Sequence, residues 1–131
     1  MKTTALSIAI TVVLIGGAIM LVRGNKDSDN TRSQSANNVS VVGSKQVIEI
    51  NAKGGYAPRI TTAKADTPTV IKLTTNGTFD CSSAVRIPGL GYHSNLPPSG
   101  ETFVEVPPQK VGTTVQGLCA MAMYNFTVNF K

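Results

Sequence analysis

The 131-residue chain lacks tryptophan and contains only one histidine and two cysteines. A single histidine excludes metal sites that need two imidazole ligands. Two cysteines exclude a multi-disulfide scaffold and a four-thiolate zinc site. The net charge is +5, and no basic stripe with interleaved aromatic residues is present, so we expect no nucleic-acid partner. The length allows one ordinary domain.

Groups for catalysis are also scarce. His93 is the only imidazole that could act as a base toward the serines, and no motif links it to them. Asp80 adjoins Cys81 and, if close, would repel a thiolate rather than activate it. The glycine pairs are isolated turns and do not form a phosphate-binding loop. We therefore expect a protein that is not an enzyme.

One long apolar run lies at the N-terminus. Thr3 to Val22 is uncharged and lies between Lys2 and Arg23. As a helix it would span about 30 Å, the thickness of a bilayer's hydrocarbon core. A cleaved signal peptide usually has a shorter apolar core followed by a small-residue site, and neither feature is present. The sequence predicts an uncleaved, single-pass membrane anchor over residues 1–23.

Residues 24–44 are polar and rich in Ser and Asn, so they predict a disordered linker. The sequence does not decide on which side of the membrane the domain after the anchor lies. The basic residues flanking the anchor are nearly balanced and lean slightly toward a cytoplasmic C-terminal side. The Thr/Asn/Gly-rich, Lys-poor composition that follows instead favours an exported domain, and extracytoplasmic placement is slightly favoured.

Residues 45–131 show no helical period but a series of short alternating or β-branched runs divided by Gly, Pro and Asn. In the first run, Ile48 and Ile50 share one face. The predicted strands are Gln46–Ala52, Pro68–Thr75, Ser83–Ile87, Glu101–Val106, Thr113–Leu118 and Tyr124–Lys131. Six or seven short strands at this spacing predict an all-β sandwich of about 87 residues, long enough for one core.

The sulfur atoms of this domain are concentrated in one motif. Both of its methionines, Met121 and Met123, follow Cys119 at alternate positions separated by alanines. In an extended segment the three side chains would share a face, and in a loop they could surround one point. Soft thiolate and thioether ligands select Cu(I). Core filling by Met and Cys is the ordinary alternative, but the motif lies between two strand-like runs, where a loop is expected.

The pattern as a whole resembles the cupredoxins. The resemblance rests on Tyr56–Ile60, a strand ending near Asn76, Cys81 at the first ligand position, Pro108 to Gly112, and a Cys-containing loop before the last strand. It is closer to the CupA-type membrane-anchored Cu(I) chaperones than to ordinary cupredoxins, because those chaperones share a Cys about 38 residues before Cys-x-Met-x-Met. The resemblance implies a Greek-key β-sandwich.

The resemblance also implies a ligand set and a partner. One Cu(I) would be held mainly by Cys81 and Cys119, and a second, weaker one by Met121 and Met123. A carboxylate on the first strand, Glu49, would complete the shell. The implied role is a copper chaperone or buffer that supplies a copper-transporting ATPase or another copper acceptor.

Two other functions stay open. Cys81 and Cys119 could form a structural disulfide in an oxidising compartment, which would make the domain a metal-free extracytoplasmic interaction module. An electron-transfer cupredoxin is the third possibility, but a blue copper centre needs two His ligands and the chain has only His93. His93 is a tentative further ligand, and an exposed loop histidine is its ordinary alternative.

Overall fold

The computed structural model describes residues 38–131 of the chain. These residues form ten β-strands and two short 3-10 turns, and no α-helix is present among them. The strands are β1 (Val39–Val42), β2 (Lys45–Ala52), β3 (Tyr56–Ala57), β4 (Ile60–Ala63), β5 (Thr69–Thr75), β6 (Ala84–Ile87), β7 (Tyr92–Asn95), β8 (Gly100–Val106), β9 (Thr114–Cys119) and β10 (Asn125–Phe130). The 3-10 turns are Cys81–Ser83 and Pro88–Leu90.

The strands form two five-stranded sheets. The first has the order β1-β2-β5-β8, with β3 paired to β2, and the second has the order β4-β10-β9-β6-β7. Strand β2 runs parallel to β5, and β4 runs parallel to β10, whereas the other pairs are antiparallel. The predicted all-β sandwich is confirmed.

All six predicted strands are present, and no bound is shifted by more than one residue. Strands β3, β4 and β7 were not predicted, because they are two to four residues long and lie among Gly, Pro and Ser. So short a run gives too little alternation to be recognised.

Strand β1 corrects one boundary of the sequence analysis. Residues 39–42 lie inside the predicted linker, but they pair antiparallel with β2, where Val39 lies opposite Ile48. The segment joins the sheet because backbone pairing and the half-buried Val39 offset its ordering entropy. The predicted anchor and the linker up to residue 37 lie outside the described residues. Among residues 38–131, no helix is long and apolar enough to span a bilayer.

The core lies between the inner faces of the two sheets. On β2, Ile48 and Ile50 point inward and are almost fully buried, as their alternation predicts. On β10, Phe126, Val128 and Phe130 supply the inner face of the other sheet and are also fully buried. This packing fixes the register of β10. It thereby fixes the position of the turn that precedes β10.

A glycine in β9 makes room for the largest of these side chains. Gly117 lies directly across from Phe126, and a Cβ atom built on Gly117 would meet the Phe126 ring at 2.1 Å. The ring therefore lies over bare backbone, two residues before Cys119. Any side chain at position 117 would push apart the two strands that carry the sulfur motif.

Candidate metal centre

Cys81 and Cys119 are brought together at one end of the sandwich. Their Cα atoms are 5.6 Å apart, and the two sulfurs form a disulfide that closes a separation of 38 residues. A structural disulfide between these two cysteines was one of the alternatives that the sequence left open. Cys119 is 1% exposed, whereas Cys81 is half-buried. Solvent therefore reaches the disulfide from the Cys81 side but not from the Cys119 side.

Cys81 is positioned by the 3-10 turn that it opens. Asp80 caps this turn: its carboxylate accepts hydrogen bonds from the backbone N–H of Ser82 at 2.8 Å and from the Ser82 hydroxyl. It also accepts a hydrogen bond from the Gly54 N–H. The Ser82 hydroxyl bond, backbone bonds from Ser82 and Gly54, and the charge of Lys53 lower the pKa of Asp80, although partial desolvation opposes them. A charged cap thus ties the Cys81 turn to the loop after β2.

The ring of Tyr56 supports the same turn from inside. Its hydroxyl donates a hydrogen bond to the backbone carbonyl of Ser82 at 3.1 Å. The ring packs edge-on against Phe126, with centroids 5.1 Å apart. Burial, followed by the negative charge of Asp80, raises the pKa of Tyr56 to about 12. The phenol therefore stays neutral and holds the residue after Cys81 in place.

Cys119 is the last residue of β9 and begins a tight turn into β10. Its N–H donates to the Tyr124 carbonyl at 3.0 Å, and its carbonyl accepts from the Ala122 N–H at 2.8 Å. The Tyr124 N–H donates to the sulfur of Cys119 at 3.4 Å. The backbone closure and this N–H contact thus fix the position of the Cys119 sulfur.

The two methionines lie on the same turn but face solvent. Met121 is 72% exposed and Met123 is 65% exposed. Ala122, between them, has a positive φ of 56°, a conformation that favours small or glycine residues. The turn projects both thioethers outward, so they are not core filler. The structure therefore places two buried or half-buried cysteine sulfurs beside two accessible thioether sulfurs.

Glu49 does not join this group. It alternates with the inward-pointing Ile48 and Ile50 and is exposed on the outer face of its sheet. There it forms an ion pair with Lys72. The Lys72 Nζ atom also lies 3.6 Å from Oε1 of Glu101. The family resemblance suggested a carboxylate on this strand, but the pleat turns Glu49 away from the interior in which Cys119 lies.

His93 is also outside the sulfur group. It lies on β7 opposite Arg86, and both side chains are exposed. The neighbouring pair on β6 and β9 is Val85 with Cys119, both buried. Since Val85 and Arg86 alternate, His93 shares the outer face with Arg86. It lines a shallow cavity of about 200 Å³ with Ala84 and Ala120.

Two contributors to the site were missed from the sequence. Asp80 was read only as a source of repulsion, but it caps the turn that carries Cys81. An Asp two residues before a Ser is a capping signal that the sequence does contain. The Tyr124 N–H contact with Cys119 depends on the fold of the turn and has no sequence signal.

Among residues 38–131, no group of three or more His, Cys, Asp or Glu side chains lies close enough to hold a metal ion. The candidate centre consists instead of Cys81, Cys119, Met121 and Met123, whose donors would be two thiolates, once the disulfide is reduced, and two thioethers. Metal binding by these four residues stays a prediction.

Comparison with known proteins supports the fold. The model of a cupredoxin-like domain family matches residues 13–128. No curated protein matches the chain. The metal-binding domain of the Cu(I) exporting P-type ATPase CopA from Streptococcus pneumoniae, solved with Cu(I), superposes with a TM-score of 0.62 at 20% identity, covering 71% of this chain and 92% of that domain.

A copper binding protein solved in its apo form superposes with a TM-score of 0.64 at 25% identity, covering 71% of this chain and 94% of that one. A chain of a heme-copper terminal oxidase matches at 12% identity with a TM-score of 0.51, covering 99% of both chains. The family match spans most of the sequence and agrees with the two-sheet architecture. This chain belongs to the cupredoxin-like domain family.

Proposed function

We propose that this protein binds Cu(I) through reduced Cys81 and Cys119, with Met121 and Met123 as accessible thioether donors, and passes the ion to an acceptor. One observation carries the proposal. The fold brings two cysteines 38 residues apart in sequence to a Cα separation of 5.6 Å, beside a turn that exposes two methionines. One or two copper ions are the expected cargo.

The donor set suits Cu(I) because thiolates and thioethers are soft ligands, whereas Mg²⁺, Ca²⁺ and Mn²⁺ prefer oxygen. The disulfide must first be reduced. Two thiols of a reductant supply the two electrons and become a disulfide themselves, and the two cysteines are released as thiols. Each cysteine that ligates copper then gives up its proton.

The arrangement also supports transfer. Cys119 is buried and its sulfur is fixed by the Tyr124 N–H. The cysteine pair would therefore hold the copper ion until transfer. The thioethers of Met121 and Met123 are exposed. A ligand of the acceptor would contact copper on this side and exchange stepwise with a thioether before the thiolates are displaced.

The named neighbours favour the same role. Two similar structures are described as a copper binding protein and as the metal-binding domain of a Cu(I) exporting ATPase. A copper-transporting ATPase is accordingly the acceptor class that we propose, and a CupA-type chaperone is the closest description. Residues 1–23 would anchor the protein in the membrane, most simply beside a membrane-embedded acceptor.

Competition for copper tests the proposal. The reduced full-length chain, in non-ionic detergent, is titrated against a coloured Cu(I) chelator. We expect the wild type to withdraw copper from the chelator and a Cys81→Ser/Cys119→Ser variant to withdraw none. A wild type that fails to compete, or a variant that competes equally well, would contradict the proposal.

A second candidate rests on the disulfide itself. If the bond persists in the cell, the domain is a stapled interaction module without metal. Intact mass separates the two functions in protein isolated from cells with its thiols blocked at lysis. Complete blocking of both cysteines supports the copper-binding form. A chain two hydrogens lighter, with no blocked cysteine, supports the staple.

A further inference from the structure

A cleft of about 400 Å³ lies beside the methionine turn. One wall is formed by the loop after β2 and by β3, and the other by Met123, Tyr124 and Asn125. Its volume is in the range of sites that hold a small molecule or a few residues of a peptide. Met123 therefore faces both solvent and the cleft.

One wall of the cleft is bare backbone. Gly54 and Gly55 have positive φ angles of 61° and 120°, which side chains rarely adopt. A Cβ atom on Gly55 would also lie 3.4 Å from the Tyr124 ring. No side chain fills this part of the cleft, so a ligand can approach the main chain closely.

The residues of the cleft lining that carry a formal charge are Lys53 and Arg59, and both are exposed. The Lys53 ammonium lies 3.6 Å from the Cβ position of Gly77, at the edge of the cleft. Neither Lys53 nor Arg59 takes part in the ion pairs found among residues 38–131. Asp80 lies near Lys53 and keeps its negative charge while its carboxylate accepts hydrogen bonds from Ser82 and Gly54, so it offsets one of the two positive charges. The cleft therefore keeps a net positive charge.

None of the glutamates of the chain lines the cleft. Glu49, Glu101 and Glu105 project from β2 and β8, where they pair with Lys45 and Lys72. The methionine end instead exposes apolar side chains: Phe79 is 84% exposed, in addition to Met121 and Met123. Exposed apolar groups rimmed by charge are typical of protein–protein contact sites.

We propose that the cleft receives an acidic segment of a protein partner, whose carboxylates pair with Lys53 and Arg59 while the partner's surface covers Met123. The inference rests on the proposed function, because a copper acceptor must touch the thioether side of the site. Complementary charge would orient the acceptor and speed its encounter more than it would add to final affinity.

The test uses a copper-free probe, so its outcome is separate from copper binding itself. Fluorescein-labelled hexaglutamate is titrated into the ¹⁵N-labelled full-length chain in non-ionic detergent at low salt. We expect binding that weakens with added salt and amide shifts at Gly54, Gly55 and Tyr124. A Lys53→Glu/Arg59→Glu variant should bind at least about tenfold more weakly.

The matched control carries the same charge change at the other end of the sandwich. Lys64→Glu/Lys110→Glu alters two exposed lysines, after β4 and before β9, and should change binding by less than about twofold. Equal weakening in both variants would mean attraction by net charge alone and would overturn the proposal. The proposal would also be overturned if the wild type did not bind hexaglutamate but bound phosphatidylglycerol vesicles through Lys53 and Arg59. The cleft would then be a binding site for a lipid surface. Chelator competition on the cleft variant reports copper binding independently.

Discussion

Cys119 and Met123 lie four residues apart, yet 1% of the first and 65% of the second is exposed. Cys119 ends a strand whose inner face is fixed by the core, and its sulfur lies against Cys81 and the Tyr124 N–H. Met123 lies on the turn that follows, where packing against the core ends. The contrast teaches that one short motif holds two kinds of sulfur. The cysteine pair, buried on its Cys119 side, cross-links the fold, whereas the exposed pair of methionines is the one that the proposed function assigns to ligand exchange.

The largest expected effect comes from breaking the buried pair. A bond that closes a separation of 38 residues restricts the unfolded chain and contributes about 4 kcal/mol on the loop-entropy estimate. Reduction should lower the free energy of unfolding by about that amount in denaturant titrations. Cu(I) added to the reduced chain should restore much of the loss. No stabilisation by Cu(I) would contradict copper binding at the pair.

Crowding the strand before Cys119 should have the next largest effect. Gly117→Ala places a methyl group into the Phe126 ring, and overpacking of this kind costs about 1–3 kcal/mol. Gly89→Ala is the matched control, because nothing lies within 4 Å of its Cβ position. Thermal unfolding should show a clear loss for the first variant and almost none for the second. Equal melting temperatures would show that the ring is not held against position 117.

The cap of the Cys81 turn should have a smaller effect. Asp80→Ala removes the acceptor for the Ser82 and Gly54 N–H groups and should cost about 1 kcal/mol. Asp80→Asn, which keeps an acceptor oxygen, should cost less. Because the pKa of Asp80 is lowered in the folded state, its contribution is present above the unfolded pKa and is lost as the pH falls through the folded pKa. The stability difference between wild type and Asp80→Ala should therefore narrow in acid, and a constant difference would contradict the role of the charge.

The exposed pair should matter least for stability. Met121→Leu/Met123→Leu keeps the apolar volume, and both positions face solvent, so the free energy of unfolding should change by less than about 0.5 kcal/mol. Copper transfer to a chelator should nevertheless change several-fold in rate, because the accessible donors are lost. Stopped-flow transfer kinetics measure this. An unchanged transfer rate would mean that the thioethers take no part in exchange.

The sequence predicted the larger strands because alternation on β2 and β10 is strong. Ile48 and Ile50 are buried on one face, as their alternation predicts, and Phe126, Val128 and Phe130 follow the same alternation on β10. It also predicted that the sulfurs would gather, because the family resemblance places Cys81 near the loop of Cys119. It could not predict that Glu49 and His93 point to the outer faces of their sheets, since the outer or inner face of a side chain depends on the register of the strand. The exposure of Met121 and Met123 likewise follows from a turn whose conformation has no sequence signal.

In the proposed function, sulfur atoms from Cys81, Cys119 and the methionine turn hold Cu(I). X-ray absorption at the copper edge, on the reduced full-length chain loaded with one equivalent of Cu(I), tests this most directly. We expect a shell of sulfur neighbours around copper in the wild type, and we expect it to disappear in Cys81→Ser/Cys119→Ser. A shell of nitrogen or oxygen, or a sulfur shell unchanged in that variant, would contradict it.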